Sequence, residues 1–482
     1  MGSRPYSFEQ FDTLFYPKHI AFIGASEKSA LGSMLYLEAF KDSKWVDTFY
    51  PVNPKYDKIL DWKCYHSVSE IPFPIDTAYV SVKAKLVPIV LKECITRKIK
   101  WVIIFSSGFS ELGTDEGLQY ENQIKLLLET NSEEYLTRVI GPNCLGPFNS
   151  ESGIAFSFSL QKGERGEVSF MSQSGGHLNL ILDIGEKRDI RYRYGVSFGN
   201  QIDLNCIDFL RHYRNDDKTK VIAAYLESFG SGNGHDFFLE LKKTTREKPV
   251  IIWKGGYTED GKRAAFSHTG AIASNIRLWS TMSAQTGAIL VKDSEEFWNA
   301  MKTFELFYPK YIPKGRRIGI ITPGGGNAVN STDLFSSHNL RIPELSSESQ
   351  NKLAKILPKE NVNISNPIDL GAFGFVIDIF IDCLKVLGED ENVDIIVIPL
   401  WGYFLYKHIM NKMINVLERN DKPYAFIMPS IADSEELAQR FSIIKKTLHK
   451  QRILYYLSTG DAARSIAQYC DYIDFLRRKN SE

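Results

Sequence analysis

The stretch HIAFIGAS, residues 19–26, decides the fold class. Four apolar residues in a row lead directly into Gly24, Ala25 and Ser26. An uninterrupted apolar run is typical of a strand buried on both faces of a parallel sheet, and the small residues mark the turn into a helix. The pattern recurs before residue 150, with amphipathic segments such as LVPIVLKECITRK between the runs, at TFYPVNP, TAYVSV, WVIIFSSGF and RVIGPNC.

Two further blocks repeat this alternation of apolar runs and helical segments. The second contains GEVSFMSQSGG, RYGVSFGN, KVIAAYLES, PVIIWKGG and AILVKD. The third follows the polar linker YIPKGRR with IGIITPGGGN, VDIIVIPLWG, PYAFIMPS and ILYYLSTG. A chain of 482 residues has room for several domains of about 100–200 residues each. The sequence therefore predicts an α/β protein with three doubly wound domains at residues 1–150, 151–312 and 313–482.

The composition argues against several classes of partner. The 58 basic and 58 acidic side chains cancel, so neither nucleic acid nor an anionic membrane would be held electrostatically. No apolar run reaches about 18 residues, and the start, MGSRPYSFEQF, has no apolar signal core, which predicts a soluble, cytoplasmic protein. The six cysteines form no CxxC pair, so we expect buried free thiols and no metal site.

The turn after the first strand, FIGASEKSALG (22–32), has two interpretations. It lacks the spacing of a GxGxxG fingerprint, so it is either a tight strand-to-helix turn or a place where Gly24, Ala25 and Ser26 let a nucleotide phosphate approach a helix N-terminus. Two other strand ends, YPVNPK and SSGFSE, are expected to flank the same crevice. Lys55 is then either a surface charge or a point charge for that phosphate.

Glycine-rich turns also precede two later helices. FMSQSGGHLN (170–179) and ITPGGGNAVN (321–330) each run from an apolar strand through small residues into a predicted helix. The amides and the dipole of a helix start favour an anion, although the glycines can also reflect a turn that needs a positive φ. Neither turn has the lysine of GxxxxGK[ST], so neither implies a nucleoside triphosphate.

A carboxylate and an imidazole stand out from their apolar or small neighbours. Glu227 ends the strand KVIAAYLES, where it needs either a salt bridge or cap, or an imidazole to orient. His268 lies in RAAFSHTGA (263–271), which follows the next strand. Because both follow strands of one predicted sheet, they can reach the same edge. A carboxylate that fixes the tautomer of an imidazole leaves its other nitrogen able to react.

The order of these motifs resembles a known family. FIGAS, YPVNPKY, SSGFSELG, GPNCLG, MSQSGG, VSFGNQID, YLES and KRAAFSHTGA follow one another as in the α subunit of nucleoside-diphosphate-forming acyl-CoA synthetases, typified by ADP-forming acetyl-CoA synthetase and related to succinyl-CoA synthetase. TPGGGNAVNSTD and NPIDL extend the resemblance over nearly the whole chain. It implies a Rossmann-like CoA-binding domain followed by two flavodoxin-like ligase domains.

The resemblance implies a role for each candidate residue. His268 is expected to be the phosphorylated histidine, Glu227 the residue that orients it, and Asn143 a neighbour of the reacting acyl group. Two helix starts are expected to hold the phosphoryl group, through Ser174, Gly175, Gly176, Gly324, Gly325, Gly326 and Asn327. Coenzyme A is expected to bind to Gly24, Ala25, Ser26, Lys55, Ser106 and Ser107.

The implied reaction is reversible and has three steps. Phosphate converts acyl-CoA to an acyl phosphate and CoA, His268 takes the phosphoryl group and frees the carboxylic acid, and phosphohistidine passes it to ADP. Three α/β domains account for all 482 residues, so ADP or ATP and Mg²⁺ are expected on an ATP-grasp β subunit, in a heterotetramer.

Alternative functions fit fewer of these features. A regulatory protein that senses CoA or acyl-CoA would need only the first domain, a protein-acetyltransferase relative would need an extra domain, and a dehydrogenase would need GxGxxG and an acidic ribose ligand. One departure concerns the acid: many relatives read SQSGAL where this chain has SQSGGHLN. His177 and Asn179 are therefore expected to alter the pocket beside the helix start, and the acyl group stays open.

Overall fold

The structure, a computed structural model, covers the chain in several stretches. It describes residues 8–28, 32–41, 48–130, 137–156, 166–230, 232–261, 263, 276–358, 362–429 and 434–481. The chain divides into two compact units, unit 1 at residues 1–298 and unit 2 at residues 299–482.

Unit 1 contains a first sheet of five parallel strands in the order β2-β1-β5-β6-β7. Every residue of these strands is buried, as the uninterrupted apolar runs predict. A short antiparallel pair, β3 (Lys58–Ile59) and β4 (Trp62–Lys63), follows the second strand. The sheet strands are β1 (Ile20–Ile23), β2 (Phe49–Val52), β5 (Thr77–Val80), β6 (Trp101–Ile104) and β7 (Arg138–Ile140).

Unit 1 also contains a second sheet of six strands in the order β13-β12-β11-β9-β10-β8. Five strands are parallel, and β8, which precedes residue 150, pairs antiparallel with β10 at the edge. The predicted domain boundaries at 150 and 312 stay a prediction. The strands are β8 (Gly146–Asn149), β9 (Val168–Ser172), β10 (Tyr192–Ser197), β11 (Val221–Leu226), β12 (Val250–Lys254) and β13 (Ile289–Val291).

Unit 2 contains a third sheet of five parallel strands in the order β15-β14-β16-β17-β18. Among the parallel strands of each of the three sheets the strand order reverses once, so each sheet is doubly wound and has one switch point where a crevice opens beyond the strand ends. The predicted α/β fold class is confirmed. The strands are β14 (Ile318–Thr322), β15 (Ile368–Asp369), β16 (Ile395–Pro399), β17 (Tyr424–Ile427) and β18 (Tyr455–Tyr456).

Helices connect the parallel strands, and several begin at a residue whose side chain accepts a hydrogen bond from the first turn, as Ser174, Asn205 and Ser346 do. The helices are α1 (Phe8–Phe15), α2 (Ser33–Lys41), α3 (Val87–Thr96), α4 (Asp115–Glu129), α5 (Gly175–Lys187), α6 (Cys206–Asn215), α7 (Gly234–Thr244), α8 (Ile276–Thr286), α9 (Ser294–Phe307), α10 (Gly325–Ser337), α11 (Ser347–Ile356), α12 (Ile377–Glu389), α13 (Lys407–Leu417), α14 (Glu435–Gln451) and α15 (Thr459–Ser481).

A seam of hydrogen bonds, between residues 138–143 and 198–204, joins the two sheets of unit 1. The amides of Asn200, Ile202 and Leu204 donate to the carbonyl oxygens of residues 142, 141 and 139, at 3.0, 3.2 and 3.2 Å. Arg138 and Asp203 form an ion pair across the same seam, with 2.9 Å between Nη2 and Oδ1 and both side chains largely buried. The bonds fix the end of β7 against the loop after β10.

The core of unit 1 is rich in aromatic rings. Phe11 and Phe15 of α1 are fully buried and pack against residues of both sheets, including Trp101 and Tyr194 at centroid distances of 5.2 and 4.3 Å. Each such ring contributes about 1.5–3 kcal/mol by burial. All six cysteines are buried and free, which confirms the predicted buried free thiols.

His212 of α6 lies within this aromatic core. Its ring stacks on Phe11 and Phe15, at centroid distances of 4.7 and 5.4 Å, and 2% of its surface is exposed. Burial lowers the pKa of His212 from 6.5 to about 3, and the nearby Asp216 offsets only part of this effect. The imidazole is therefore neutral in the folded protein at neutral pH.

We expect the His212→Phe variant to lose less of its free energy of unfolding in acid than the wild type does. Between pH 6.5 and 3 the unfolded chain binds a proton at this residue that the folded chain does not, so stability falls as pH falls. At pH 4.5 this costs the wild type about 2–3 kcal/mol relative to neutral pH. Urea unfolding at pH 7 and 4.5 measures the difference.

The exposed His235 provides the control, since His235→Gln should keep the wild-type pH dependence. If His212→Phe also kept it, the buried imidazole would not be the cause.

Candidate functional site

A cavity of about 930 Å³ opens in unit 1 where the carboxyl ends of six parallel strands from both sheets meet. It is lined by residues that follow β5, β6, β7, β9, β10 and β11, including the first turn of α5. The second sheet has its switch point between β9 and β11, so the cavity lies where a doubly wound sheet is expected to bind a ligand.

Six of the predicted site residues line this cavity. Two follow β6, one lies in the turn after β7, and three begin α5: Ser106, Ser107, Asn143, Ser174, Gly175 and Gly176. The structure therefore brings the predicted acyl-group residue and one predicted phosphate-binding helix start to the same space.

The other predicted CoA residues are not part of the cavity lining. Gly24 follows β1 at the switch point of the first sheet, with φ of +90°, and a Cβ on it would lie 2.2 Å from the Ser81 carbonyl oxygen. Ala25 and Ser26 continue this turn, and the Asn53 amide donates to the Ala25 carbonyl at 2.8 Å. Lys55 is exposed. Because β5 lies between β1 and β6, the end of β5 separates this turn from Ser106.

Asn143 is held by the seam and by β6. Its φ is +59°, and its amide donates to the Ser106 carbonyl at 3.0 Å. The Ser106 hydroxyl in turn donates to the Val82 carbonyl at 2.6 Å. Gly199, at φ of +54°, lets the opposite loop approach, since a Cβ there would lie 2.1 Å from the Pro142 carbonyl oxygen.

The start of α5 faces the cavity with the groups that bind anions. Ser174 is the N-cap, and its hydroxyl accepts from the His177 amide at 3.4 Å. The first amides of a helix have no partner within the helix and carry the positive end of its dipole. Gly175 lets this helix start approach the turn after β7, because a Cβ on it would lie 2.8 Å from the Leu145 side chain. The arrangement suits phosphate.

Glu227 directly follows β11 and is 6% exposed. The Tyr225 hydroxyl donates to Glu227 Oε1 at 3.3 Å. Burial raises the pKa of the Tyr225 phenol, and the neighbouring Glu227 carboxylate raises it further, so the phenol stays a donor at neutral pH. Glu227 is thus buried next to a fixed donor.

Gln173 holds the turn that carries Glu227. Its Oε1 accepts from the amides of Glu227 and Ser228, at 2.9 and 3.0 Å. Neither Gln173 nor Tyr225 was predicted from the sequence as a site residue. The available signal for Gln173 was its place in SQSGG, as a polar residue between a strand end and a helix cap.

His177, which was singled out only as a departure from relatives, lines the cavity. Its ring stacks on Tyr225 at 4.2 Å with 7° between the planes, and meets Trp253 edge-on at 5.4 Å. Its Nδ1 lies 3.3 Å from the Ser174 hydroxyl. The imidazole therefore has a fixed position at the start of α5.

Two further polar side chains of unit 1 are buried near strand ends, and one of them lines the cavity. Lys254, missed by the sequence analysis, ends β12 with 2% of its surface exposed and donates to the Gly255 carbonyl oxygen. Burial raises the pKa of the Cys144 thiol to about 12, so this cavity-lining cysteine is not a nucleophile at neutral pH. His268 lies outside the described residues.

In unit 2, Gly324 to Asn327 form the start of α10, at the switch point between β14 and β16. A Cβ on Gly324 would lie 3.2 Å from the ring of Trp401, which follows β16. A Cβ on Gly325 would lie 2.9 Å from the Asp369 carboxylate. The predicted second glycine-rich helix start is confirmed as a structural element, and its phosphate role stays a prediction.

Two features are absent from the described residues, a cluster of metal-ligating side chains and a membrane-spanning helix. No group of three or more His, Cys, Asp and Glu side chains in these stretches could hold a metal ion. None of the helices in the same stretches is long and apolar enough to cross a membrane.

The chain matches two domain families. Residues 18–149 match the CoA binding domain, and residues 165–304 match the succinyl-CoA ligase like flavodoxin domain. The α subunit of ADP-forming acetate–CoA ligase II from Pyrococcus furiosus is 33% identical over 388 residues, which cover 80% of this chain and 81% of that subunit. The chain belongs to the ADP-forming acetate–CoA ligase family.

Some members of the ligase family are longer than this chain. ADP-forming acetate–CoA ligase II from Archaeoglobus fulgidus is 32% identical over 438 residues, and the chain spans 63% of its length. A similar solved structure is the dinucleotide-forming acetyl-coenzyme A synthetase 1 of Ca. Korarchaeum cryptofilum, in complex with phosphate and ADP. It matches this chain with a TM-score of 0.83 at 27% identity, and the match covers 97% of this chain and 98% of the synthetase chain. The resemblance drawn from the motifs is confirmed.

We expect Gly199→Ala to destabilise the seam. The positive φ costs about 1–2 kcal/mol for alanine, and the clash of its Cβ with the Pro142 carbonyl adds roughly 1–3 kcal/mol. Gly113→Ala is the control, because Gly113 has φ of +65° and no atom within 4 Å of the added Cβ. Urea unfolding should give the larger loss for Gly199→Ala. Equal losses would show that the close approach to Pro142 costs nothing.

Proposed function

We propose that the chain is the α subunit of an ADP-forming acyl-CoA synthetase, which reversibly converts acyl-CoA, ADP and phosphate to a carboxylic acid, CoA and ATP. One observation carries the proposal: in a member of the ligase family, an amide-rich helix start and a turn with buried Glu227 meet at a cavity between two sheets. Such a cavity can hold a thioester and an anion side by side.

The first step takes place in the cavity. A phosphate oxygen attacks the thioester carbonyl, the C–S bond breaks, and CoA leaves as a thiolate that takes up a proton. Asn143 contacts the reacting acyl group, while Ser106 and Ser107 contact CoA. In this proposal the Gly24, Ala25 and Ser26 turn and Lys55 bind the part of CoA that extends out of the cavity, where the lysine can pair with a phosphate.

The second step transfers the phosphoryl group to His268. A neutral imidazole nitrogen attacks phosphorus, the P–O bond breaks, and the carboxylic acid leaves. The buried carboxylate of Glu227 accepts a hydrogen bond from the other nitrogen of the imidazole and thereby orients the ring. The amides of Ser174, Gly175 and Gly176 hold the phosphoryl oxygens, with a stabilisation of up to about 2 kcal/mol from the helix end.

The third step passes the phosphoryl group to ADP. We propose that the start of α10, from Gly324 to Gly326 and Asn327, holds it at this stage. An ATP-grasp β subunit supplies the nucleotide site, and magnesium there neutralises phosphate charge. The relative described as a subunit alpha supports this division, since the chain covers 81% of it. We propose a heterotetramer of two α and two β chains, in the cytoplasm.

The three predicted domains divide this work. Residues 1–150 bind CoA, residues 151–312 carry Glu227 and His268, and residues 313–482 carry the second phosphate-binding helix start. The matches at residues 18–149 and 165–304 support the first two divisions.

We expect the protein to be labelled by [³²P]phosphate and an acyl-CoA, with label that is acid-labile and base-stable, as for phosphohistidine. A panel from acetyl-CoA to branched and aryl thioesters identifies the acyl group. His268→Ala should abolish the label, and His235→Ala, on the exposed face of α7, should retain it. Full label in His268→Ala would remove His268 from the reaction. CoA binding without any label in the wild type would favour a regulatory role.

We expect Glu227→Gln to slow phosphorylation of His268 by about 100-fold or more, because the amide cannot stabilise the charge or fix the tautomer in the same way. CoA affinity should stay within about twofold, since Glu227 does not line the cavity. Rapid-quench labelling gives the rate, and calorimetry gives the affinity. Loss of folding, measured by circular dichroism, would instead indicate that Glu227 is structural.

A further inference from the structure

We infer that Gln173 is a positioning residue, whose side-chain amide joins the turn of Glu227 to the helix start that faces the cavity. The inference rests on the proposed function, since Glu227 matters only if it orients the reacting imidazole. Gln173 lies between β9 and the N-cap Ser174, and it lines the cavity.

Four hydrogen bonds join Gln173 to residues 225–228. The backbone amide of Gln173 donates to the Tyr225 carbonyl at 3.0 Å. Its Oε1 accepts from the amides of Glu227 and Ser228 at 2.9 and 3.0 Å, and its Nε2 donates to the Ser228 hydroxyl at 3.2 Å. A carboxamide has the donor and acceptor of a peptide group, so it can stand in for one.

The side chain therefore continues a sheet ladder beyond its last residues. The pairing of β9 with β11 ends at Ser172 and Tyr225. Past that point, the Gln173 carboxamide supplies the acceptor that another strand residue would supply. Glu227 is thus held as if it were still in the sheet, although the strand itself ends at Leu226.

Close packing makes this position sensitive to small shifts. A Cβ on Gly255 would lie 2.5 Å from the Tyr225 hydroxyl and 3.0 Å from Glu227 Cγ, so the neighbouring strand end passes tightly against both residues. Gln173 and Glu227 are 8% and 6% exposed. A displacement of about 1 Å at a reacting group can cost 100-fold in rate.

The link also ties Glu227 to the proposed phosphate site. Gln173 directly precedes the N-cap of α5, and Ser172 Oγ donates to the Ser174 carbonyl at 2.6 Å. The amides that would hold phosphate and the carboxylate that would orient the imidazole therefore share one rigid support. Gln173 acts through Glu227 and does not itself react.

The test uses Gln173→Met, which keeps the length of the side chain and removes its three hydrogen bonds. The probe is acetyl [³²P]phosphate, from which the proposed second step would label His268 in the full chain without CoA or nucleotide. We expect the maximal labelling rate to fall by roughly 10- to 100-fold, while the half-saturating concentration and the affinity for CoA stay within about twofold.

Asn149→Leu provides the matched control. The Asn149 carboxamide is also buried, but it lies outside the cavity lining. Its Oδ1 accepts from the backbone amides of Glu151 and Ser152, and its Nδ2 donates to the Phe15 carbonyl. Both variants lose a buried, hydrogen-bonded amide, so both should unfold at lower urea concentration. Only Gln173→Met should lose labelling rate.

A double variant decides whether Gln173 acts through Glu227. If it does, Gln173→Met should slow the Glu227→Gln protein by less than about twofold, because the effect it transmits is already lost. Two outcomes would overturn the inference while the proposed function stood. In one, the double variant loses labelling rate by the product of the two single losses; in the other, Gln173→Met is labelled at the same rate as Asn149→Leu. No labelling of the wild type by any acyl phosphate would remove both.

Discussion

The seam between residues 138–143 and 198–204 is the constraint on which the candidate site depends. Three backbone hydrogen bonds and the buried Arg138–Asp203 ion pair hold the end of β7 against the loop after β10. Separation of the two sheets at this point would break all of these bonds at once, and each buried hydrogen bond left unmade is costly. The cavity is the space that remains where their strand ends are held face to face.

The polar groups around that space are fixed mostly by one another. Ser106 bonds to the end of β5, Asn143 bonds to Ser106, and Gln173 bonds to the turn of Glu227. A buried network of this kind holds its members still because each unmade bond would be expensive. Rigid donors and acceptors at known places are what a phosphoryl-transfer site requires.

The sequence predicted the local features well, because each depends on neighbouring residues. The apolar runs became buried strands, and the glycine-rich turns before α5 and α10 became helix starts. Contacts between distant residues were not predictable in the same way. Nothing in the sequence marks Gln173 as the partner of Glu227, since the two are 54 positions apart and their pairing depends on the order of strands. The absence of Lys55 from the cavity lining has the same cause, because Lys55 follows β2, and both β1 and β5 lie between that strand and the one before Ser106.

The edge strand β8 determines how the protein can be divided. It belongs to the chain segment of the first sheet, yet it covers β10 of the second with an antiparallel ladder. A fragment that begins after Asn149 would leave β10 as a bare sheet edge, and bare edges recruit other chains and aggregate. A fragment that ends there would carry a strand with no sheet to join. The two sheets of unit 1 share a buried core and are therefore a single folding unit, so dissection of the protein has to keep them together.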